Sequence, residues 1–143
     1  MKTIGQLLGA APRAPLSIAP EKSVLEALGL MAKHDIGALL VLEGERLVGI
    51  FSERDYARKV ILKGKSSHDL TVREIMTDKV IYVLADQSVP QAMAIMSEKH
   101  IRHLPVLDSK QKVLGVVSIG DLVKETIADQ EFTIKQLAQY IAS

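Results

Sequence analysis

Hydrophobic and polar positions run through the same order twice along the chain. In each copy a short aliphatic segment leads to a serine, an apolar stripe at helical spacing, two apolar runs separated by a polar turn, and a second serine. The copies align at an offset of 65 residues, which becomes 66 once the second hairpin has gained one residue. A copy of about 60 residues buries too little surface to be comfortably stable alone, so we expect the two to pack as a pair.

Each copy is predicted to contain three strands and two helices. Short apolar runs predict strands over residues 16–19, 38–42, 47–51, 80–84, 104–107 and 113–117. Ser23 and Ser88 stand three residues before Glu26 and Gln91, the capping-box spacing that begins a helix. Later serines are expected to begin helices over residues 53–63 and 119–129, and one more helix is predicted over 132–142.

The chain is therefore expected to have an α/β (α+β) fold in which each repeat has the order β-α-β-β-α, with a pseudo-two-fold relation between the repeats. We place the first repeat at residues 3–63, a polar linker at 64–70, the second repeat at 71–129 and a terminal helix at 130–143. One side of the terminal helix is apolar, so it must cover the pair or meet another subunit. That stripe consists of Ile134, Leu137, Ala138 and Ile141.

One short motif also occurs twice, as GIFSERD at residues 49–55 and GVVSIGD at residues 115–121. A single S-x-x-D is weak evidence because it is also a helix cap, but two at aligned positions are strong evidence. With TVREIMT at 71–77 and IRHLPV at 101–106, the chain resembles the CBS (cystathionine-β-synthase) domain family over residues 3–127. The first repeat departs from this pattern at residues 4–8. The resemblance implies a tandem CBS pair, similar to the single-module bacterial CBS proteins, that senses a ligand and acts on a separate protein effector.

The motif side chains suit an adenosine-containing ligand held in clefts between the repeats. A carboxylate can accept a hydrogen bond from each of two ribose hydroxyls, and we assign that role to Asp55 and Asp121. The serines, helix N–H groups and nearby cations would hold phosphate, while apolar strand residues would form the adenine slot and glycines would leave room. The predicted ligand-binding residues are Ile18, Gly37, Ala38, Leu39, Ser52, Arg54, Asp55, Val83, Arg102, His103, Leu104, Pro105, Ser118, Gly120 and Asp121.

Simpler roles compete with these assignments. The motif serines are useful as helix caps without any ligand, and the aspartates complement the helix dipole. Arg102 and His103 could lie on a solvated strand edge, and Arg58, Lys59 and Lys63 are interpreted as a solvated helix face.

Composition narrows the classes of function. The chain contains no cysteine, so it has no disulfide, thiolate nucleophile or thiolate-zinc site. Its net charge of +1 and its 3% of aromatic residues disfavour binding to nucleic acids and membrane surfaces. The four histidines lack metal-site spacing, and no Gly-rich phosphate loop or nucleophile elbow is present, so neither a metal site nor an enzyme is expected. No apolar run approaches the roughly 18–20 residues that cross a bilayer, and residues 1–5 do not resemble a signal peptide. We therefore expect a cytoplasmic protein.

The chain is accordingly interpreted as a homodimeric regulator without a catalytic cofactor, whose ligand is AMP, ADP, ATP or NAD. Three alternatives stay open, namely a structural dimerisation module with empty clefts, an S-adenosylmethionine sensor, and an enzyme that acts on nucleotides. S-adenosylmethionine carries no phosphate, which would leave Arg102 and His103 harder to explain.

Overall fold

A computed structural model describes residues 2–9 and 16–142, which form two compact units. We call residues 16–81 the first unit, and residues 2–9 together with 82–142 the second unit. In chain order the elements are α1 (Ile4–Leu8), β1 (Ser17–Ile18), α2 (Val24–His34), β2 (Ala38–Glu43), β3 (Arg46–Ser52), α3 (Glu53–Tyr56) continued by a π-helical turn (Ala57–Ile61), α4 (Val72–Ile75), β4 (Val83–Leu84), α5 (Val89–Lys99), β5 (His103–Leu107), β6 (Val113–Ser118) and α6 (Ile119–Ala142).

Each unit contains one three-stranded sheet of the same topology, which confirms the predicted mixed α+β fold. In the first unit β1 runs parallel to β2, and β2 pairs antiparallel with β3 as a hairpin. In the second unit β4, β5 and β6 repeat this order. The hairpin register shifts between Val41 and Leu42 in one sheet and between Val106 and Leu107 in the other, so even the irregularity is duplicated.

The helices α2 and α5 begin and end in matching ways, with one difference at their starts. Ser88 and Gln91 form a full capping box, in which Ser88 N donates to Gln91 Oε1 at 2.8 Å and Gln91 N donates to Ser88 Oγ at 3.2 Å. The predicted box at Ser23 forms only in part. Ser23 Oγ accepts from Glu26 N at 3.1 Å, while the exposed Glu26 carboxylate lies 3.9 Å from the Lys22 ammonium.

The C-terminal helix continues the preceding helix without a break. The sequence predicts separate helices over residues 119–129 and 132–142, but α6 runs through all of Ile119–Ala142. The reason is that residues 121–142 contain neither glycine nor proline, so nothing interrupts the backbone hydrogen bonds. Ser143 lies outside the described residues. Among the described residues, no helix is both long and apolar enough to span a membrane.

The segments that lead into the two repeats are exchanged between the units. We call residues 3–9 and 71–77 the leading segments of the first and second repeats. In the second unit Ile4 N donates to Gln87 O at 2.8 Å, and in the first unit Val72 N donates to Lys22 O at 2.8 Å. The side chains of Ile4 and Val72 are fully buried in their respective units. Each compact unit therefore combines the strands and helices of one repeat with the leading segment of the other.

Candidate ligand-binding site

The first S-x-x-D motif forms a tight cap at the end of β3. Ser52 ends the strand, and its N–H and its hydroxyl each donate to Asp55 Oδ2 at 2.9 Å. In return Asp55 N donates to Ser52 Oγ at 3.2 Å. These reciprocal bonds fix the carboxylate at the first turn of α3.

The other carboxylate oxygen of Asp55 is also bonded within the first unit. Thr77 Oγ1 donates to Asp55 Oδ1 at 2.9 Å, and Lys59 Nζ lies 3.1 Å from the same oxygen. Lys59 also donates to the Ile75 carbonyl at 2.9 Å. Asp55 is only 7% exposed and is the one buried charged residue in the part of the chain that the structure describes. The buried carboxyl group thus has both hydrogen-bond and ion-pair partners, as buried polar groups generally require.

The second motif has the same cap but a different setting. Ser118 N donates to Asp121 Oδ2 at 2.9 Å, and Asp121 N donates to Ser118 Oγ at 3.2 Å. Asp121 is exposed, and within residues 2–9 and 16–142 its Oδ1 atom has no protein donor. It faces an open groove of about 490 Å³ in the second unit. The groove is lined by Leu7, Leu8, Val117, Asp121, Lys124, Glu125 and Ala128.

The hairpins bring several predicted ligand residues beside the motif serines. Ala38 lies opposite Ser52 in the first sheet, and His103 lies opposite Ser118 in the second. The residue before each strand is tied to the helix that follows the motif, since the Gly37 carbonyl accepts from Glu53 N at 3.1 Å and the Arg102 carbonyl accepts from Ile119 N at 2.9 Å. The backbone at Gly37 and Ala38, and at Arg102 and His103, is thus held next to each S-x-x-D cap.

Other predicted ligand residues point elsewhere. The side chains of Leu39, Val83 and Leu104 are fully buried, and those of Ile18 and Pro105 are buried as well. They pack inside the units, so little or none of their side-chain surface is accessible. Arg54 and Gly120 are exposed at the starts of the helices that follow the motifs.

Sequence reasoning missed several residues around the aspartates. Lys59 was predicted to lie on a solvated helix face, but it is half-buried against Asp55. Its i, i+4 spacing from Asp55 is the sequence signal that could have identified this contact. No pattern connects Thr77 to Asp55 across 22 residues of chain. Leu7 and Leu8 reach the groove only because their leading segment packs in the second unit.

The motif glycines allow the leading segments to approach the sheets. A Cβ at Gly49 would lie 2.5 Å from Met76 Sδ and 3.0 Å from the Thr77 carbonyl oxygen. A Cβ at Gly115 would lie 3.4 Å from Leu8 Cδ2. In this conformation a Cβ at position 49 would clash with Met76, whereas position 115 is less crowded.

The described residues contain no group of three or more His, Asp or Glu side chains placed to hold a metal ion. The groups at both motifs are hydrogen-bond donors and acceptors together with charges of both signs. This arrangement is suited to binding a polyhydroxylated ligand.

Comparison with known proteins gives a consistent result. The model of the CBS domain matches twice, at residues 8–62 and 72–127. A putative signal-transduction protein with CBS domains from Burkholderia ambifaria is 49% identical, with a TM-score of 0.85 over 90% of this chain and 96% of that one. The CBS domain pair of protein MJ0100, in complex with 5′-methylthioadenosine and S-adenosyl-L-methionine, is 28% identical with a TM-score of 0.79 over 90% of this chain and 98% of that one.

A curated relative extends beyond the matched region. The mitochondrial CBS domain-containing protein CBSX3 of Arabidopsis thaliana is 39% identical over 126 residues, which are 85% of this chain and 61% of the relative. The chain thus spans about three fifths of that relative's length. Since the two domain matches cover most of the sequence and coincide with the two motifs, the chain belongs to the CBS domain family.

Proposed function

We propose that this protein is a non-catalytic sensor that binds an adenosine-containing ligand at its S-x-x-D motifs and transmits the binding to a protein effector. The observation that carries this proposal is the Asp121 carboxylate, which faces an open groove with one oxygen that has no donor among the described residues. Support also comes from MJ0100, a family member whose CBS pair binds two adenosine compounds.

The chemistry of the groove fits the two ends of a nucleoside. Asp121 Oδ1 can accept a hydrogen bond from a ribose hydroxyl, and an ionised acceptor makes such a bond stronger. Leu7, Leu8 and Val117 offer apolar surface to a purine ring. A volume of about 490 Å³ lies within the range of small-molecule pockets, roughly 300–1,000 Å³.

The 5′ group of the ligand distinguishes the candidate compounds. AMP, ADP, ATP and NAD carry phosphate, for which Arg102, His103 and Lys124 are the candidate partners in the second unit. S-adenosylmethionine and 5′-methylthioadenosine carry no phosphate and would leave these cations without that role. We propose a phosphorylated adenosine ligand as the principal one, with the other two compounds as the alternative.

A thermal-shift screen tests the sensor proposal. At a ligand concentration 100 times the Kd, binding adds about 2.7 kcal/mol of stability, which corresponds to a Tm increase of roughly 5–10 °C for a chain of this size. The panel contains AMP, ADP, ATP, NAD, S-adenosylmethionine and 5′-methylthioadenosine, with GMP as the matched control that keeps the ribose and phosphate. Stabilisation by an adenosine compound and not by GMP is expected. A flat response across the panel would refute the proposal.

We further propose that the sensor forms a homodimer through an exposed apolar seam on α6. The seam residues follow one another at alternating spacings of four and three, and they are Val123, Ile127, Gln130, Ile134, Leu137 and Ile141. The five apolar members are 40–81% exposed. This spacing is a heptad with isoleucine at all three a positions and leucine at one d position, a combination that favours two-stranded coiled coils. A second copy of α6 is therefore the occupant that the seam fits.

The seam also explains why its partner should be the same helix. It contains no charged residue, so two copies can approach without burying a charge, and Gln130 is the single polar position among the six. Light scattering at micromolar concentration should give twice the chain mass for the wild type and the monomer mass for Ile134→Asp. Gln136→Asp, on the opposite side of the same helix, is the control and should remain dimeric. A monomeric wild type would contradict the dimer and leave the ligand proposal intact.

A further inference from the structure

The two motif aspartates differ in how many hydrogen bonds the protein itself already makes to them. Asp55 accepts from Ser52 N, Ser52 Oγ and Thr77 Oγ1, each at 2.9 Å, and Lys59 Nζ lies 3.1 Å away. A carboxylate has about four acceptor positions, and in Asp55 three accept hydrogen bonds while the Lys59 ammonium lies against Oδ1. A ribose could bind there only after displacing the Thr77 hydroxyl and the Lys59 ammonium.

Asp121 has kept most of its acceptor capacity. Its Oδ2 accepts from Ser118 N at 2.9 Å, and the described part of the chain supplies no donor to Oδ1. The side chain is exposed on the groove, where Lys124 and Glu125 are its charged neighbours. A ribose hydroxyl can therefore reach this carboxylate without displacing a protein group.

Two sequence differences explain why the protein bonds more of the acceptor positions of Asp55 than of Asp121. At the repeat offset of 66, the position of Lys59 in the first motif corresponds to Glu125 in the second, and a carboxylate replaces the ammonium. Glu125 instead pairs with the Lys2 ammonium at 3.7 Å. In the leading segments, the caps Thr3 and Thr71 align, which places Gly9 at the position of Thr77 and removes the hydroxyl.

We propose that the Asp121 motif is the high-affinity site for the adenosine ligand and that Lys59 and Thr77 hold the Asp55 motif in a closed, low-affinity state. The inference rests on the proposed function, since it concerns the same ligand. A ribose at the first motif must displace the charge-assisted hydrogen bond from Thr77 and the partly solvent-screened ion pair with Lys59, which weakens binding there by about tenfold or more.

Calorimetry on the full chain with AMP tests whether the two motifs differ in ligand affinity. The same series is run with S-adenosylmethionine as a second probe. The wild type should show one tight site per chain. Asp121→Asn should weaken that site by about tenfold or more, while Asp55→Asn, the matched isosteric change, should alter it by less than about twofold. Circular dichroism and the Tm of each variant establish that it is folded.

The variant Lys59→Met/Thr77→Val tests the closed state directly and keeps Asp55 in place. Removing both donors should raise the number of tight sites per chain from one to two. Two equal tight sites in the wild type, or tight binding that requires Asp55 and tolerates Asp121→Asn, would overturn the proposed difference in affinity between the motifs. The proposed function would then still stand. If neither probe bound the wild type or any variant, this inference would be wrong, whereas the proposed function would be refuted only by a flat thermal-shift response to the whole adenosine panel.

Discussion

Replacing Gly49 by alanine is a sensitive test of how the leading segment packs against the first sheet. The added Cβ would lie 2.5 Å from Met76 Sδ, a distance that real Cβ contacts do not show, and 3.0 Å from the Thr77 carbonyl oxygen. The methionine side chain can rotate away. The carbonyl cannot easily do so, because Ile50 N donates to it at 3.0 Å and Thr77 N donates to the Ile50 carbonyl at 2.9 Å.

The expected loss follows from two opposing effects. Overpacking in a dense region costs about 1–3 kcal/mol, whereas replacing glycine by alanine restricts the unfolded chain and recovers about 0.4–1 kcal/mol. We expect Gly49→Ala to lower the free energy of unfolding by about 1–2 kcal/mol. For a chain of this length the Tm should fall by about 2–4 °C for each kcal/mol lost.

Gly115→Ala is the matched control because the same motif position in the second unit is less crowded. There the Cβ would meet Leu8 Cδ2 at 3.4 Å, which is an ordinary van der Waals contact. Its free energy of unfolding, measured by urea denaturation, should stay within about 0.5 kcal/mol of the wild type. In a Met76→Ala background most of the Gly49→Ala loss should persist, because the Thr77 carbonyl oxygen remains in place. Equal losses at positions 49 and 115, or disappearance of the loss in the Met76→Ala background, would refute this account of the close approach.

Three further predictions concern single contacts. Ser88→Ala removes the Oγ acceptor of the α5 cap and should cost about 1 kcal/mol in urea denaturation, and an unchanged midpoint would contradict the role of the cap. Leu122→Ala leaves a cavity beneath α6 and should cost about 2–5 kcal/mol, whereas Gln136→Ala, at an exposed position away from the apolar seam, should change stability little. The hydrogen bond from the Arg73 guanidinium holds the pKa of Glu21 below its ordinary value, so this contribution to stability is present at neutral pH and is lost as the pH falls through the lowered pKa. In Arg73→Ala, NMR titration should show the Glu21 pKa returning toward its ordinary value.

The repeated architecture was predictable because it depends on local patterns. The two hairpins follow from apolar runs on either side of polar turns, and their strands begin and end within one or two residues of the predicted limits. The starts of α2 and α5 follow from serine caps. The terminal helix was placed correctly, but its continuity with the preceding helix was missed, although the absence of glycine and proline from residues 121–142 is a sequence signal that indicates it.

The exchange of the leading segments could not be predicted from the pattern. Residues 71–77 begin the second repeat in sequence, and their apolar pattern does not indicate that they pack in the first unit. Their placement in the first unit depends on long-range bonds such as that between Val72 N and the Lys22 carbonyl. Such bonds leave no periodic signal.

The surroundings of the two aspartates depend on this exchange, so the same motif has different hydrogen-bond partners in the two units. Identical S-x-x-D spacing fixes the serine bond to each carboxylate, since both partners lie within one helical turn. The remaining acceptor positions are filled, or left open, by residues outside the motif. Thr77 arrives from a leading segment that belongs to the other repeat, and one turn along the helix a lysine in one copy is a glutamate in the other. A repeat therefore preserves the hydrogen bonds that lie within it, while the remaining contacts of each aspartate depend on what the rest of the chain places beside it.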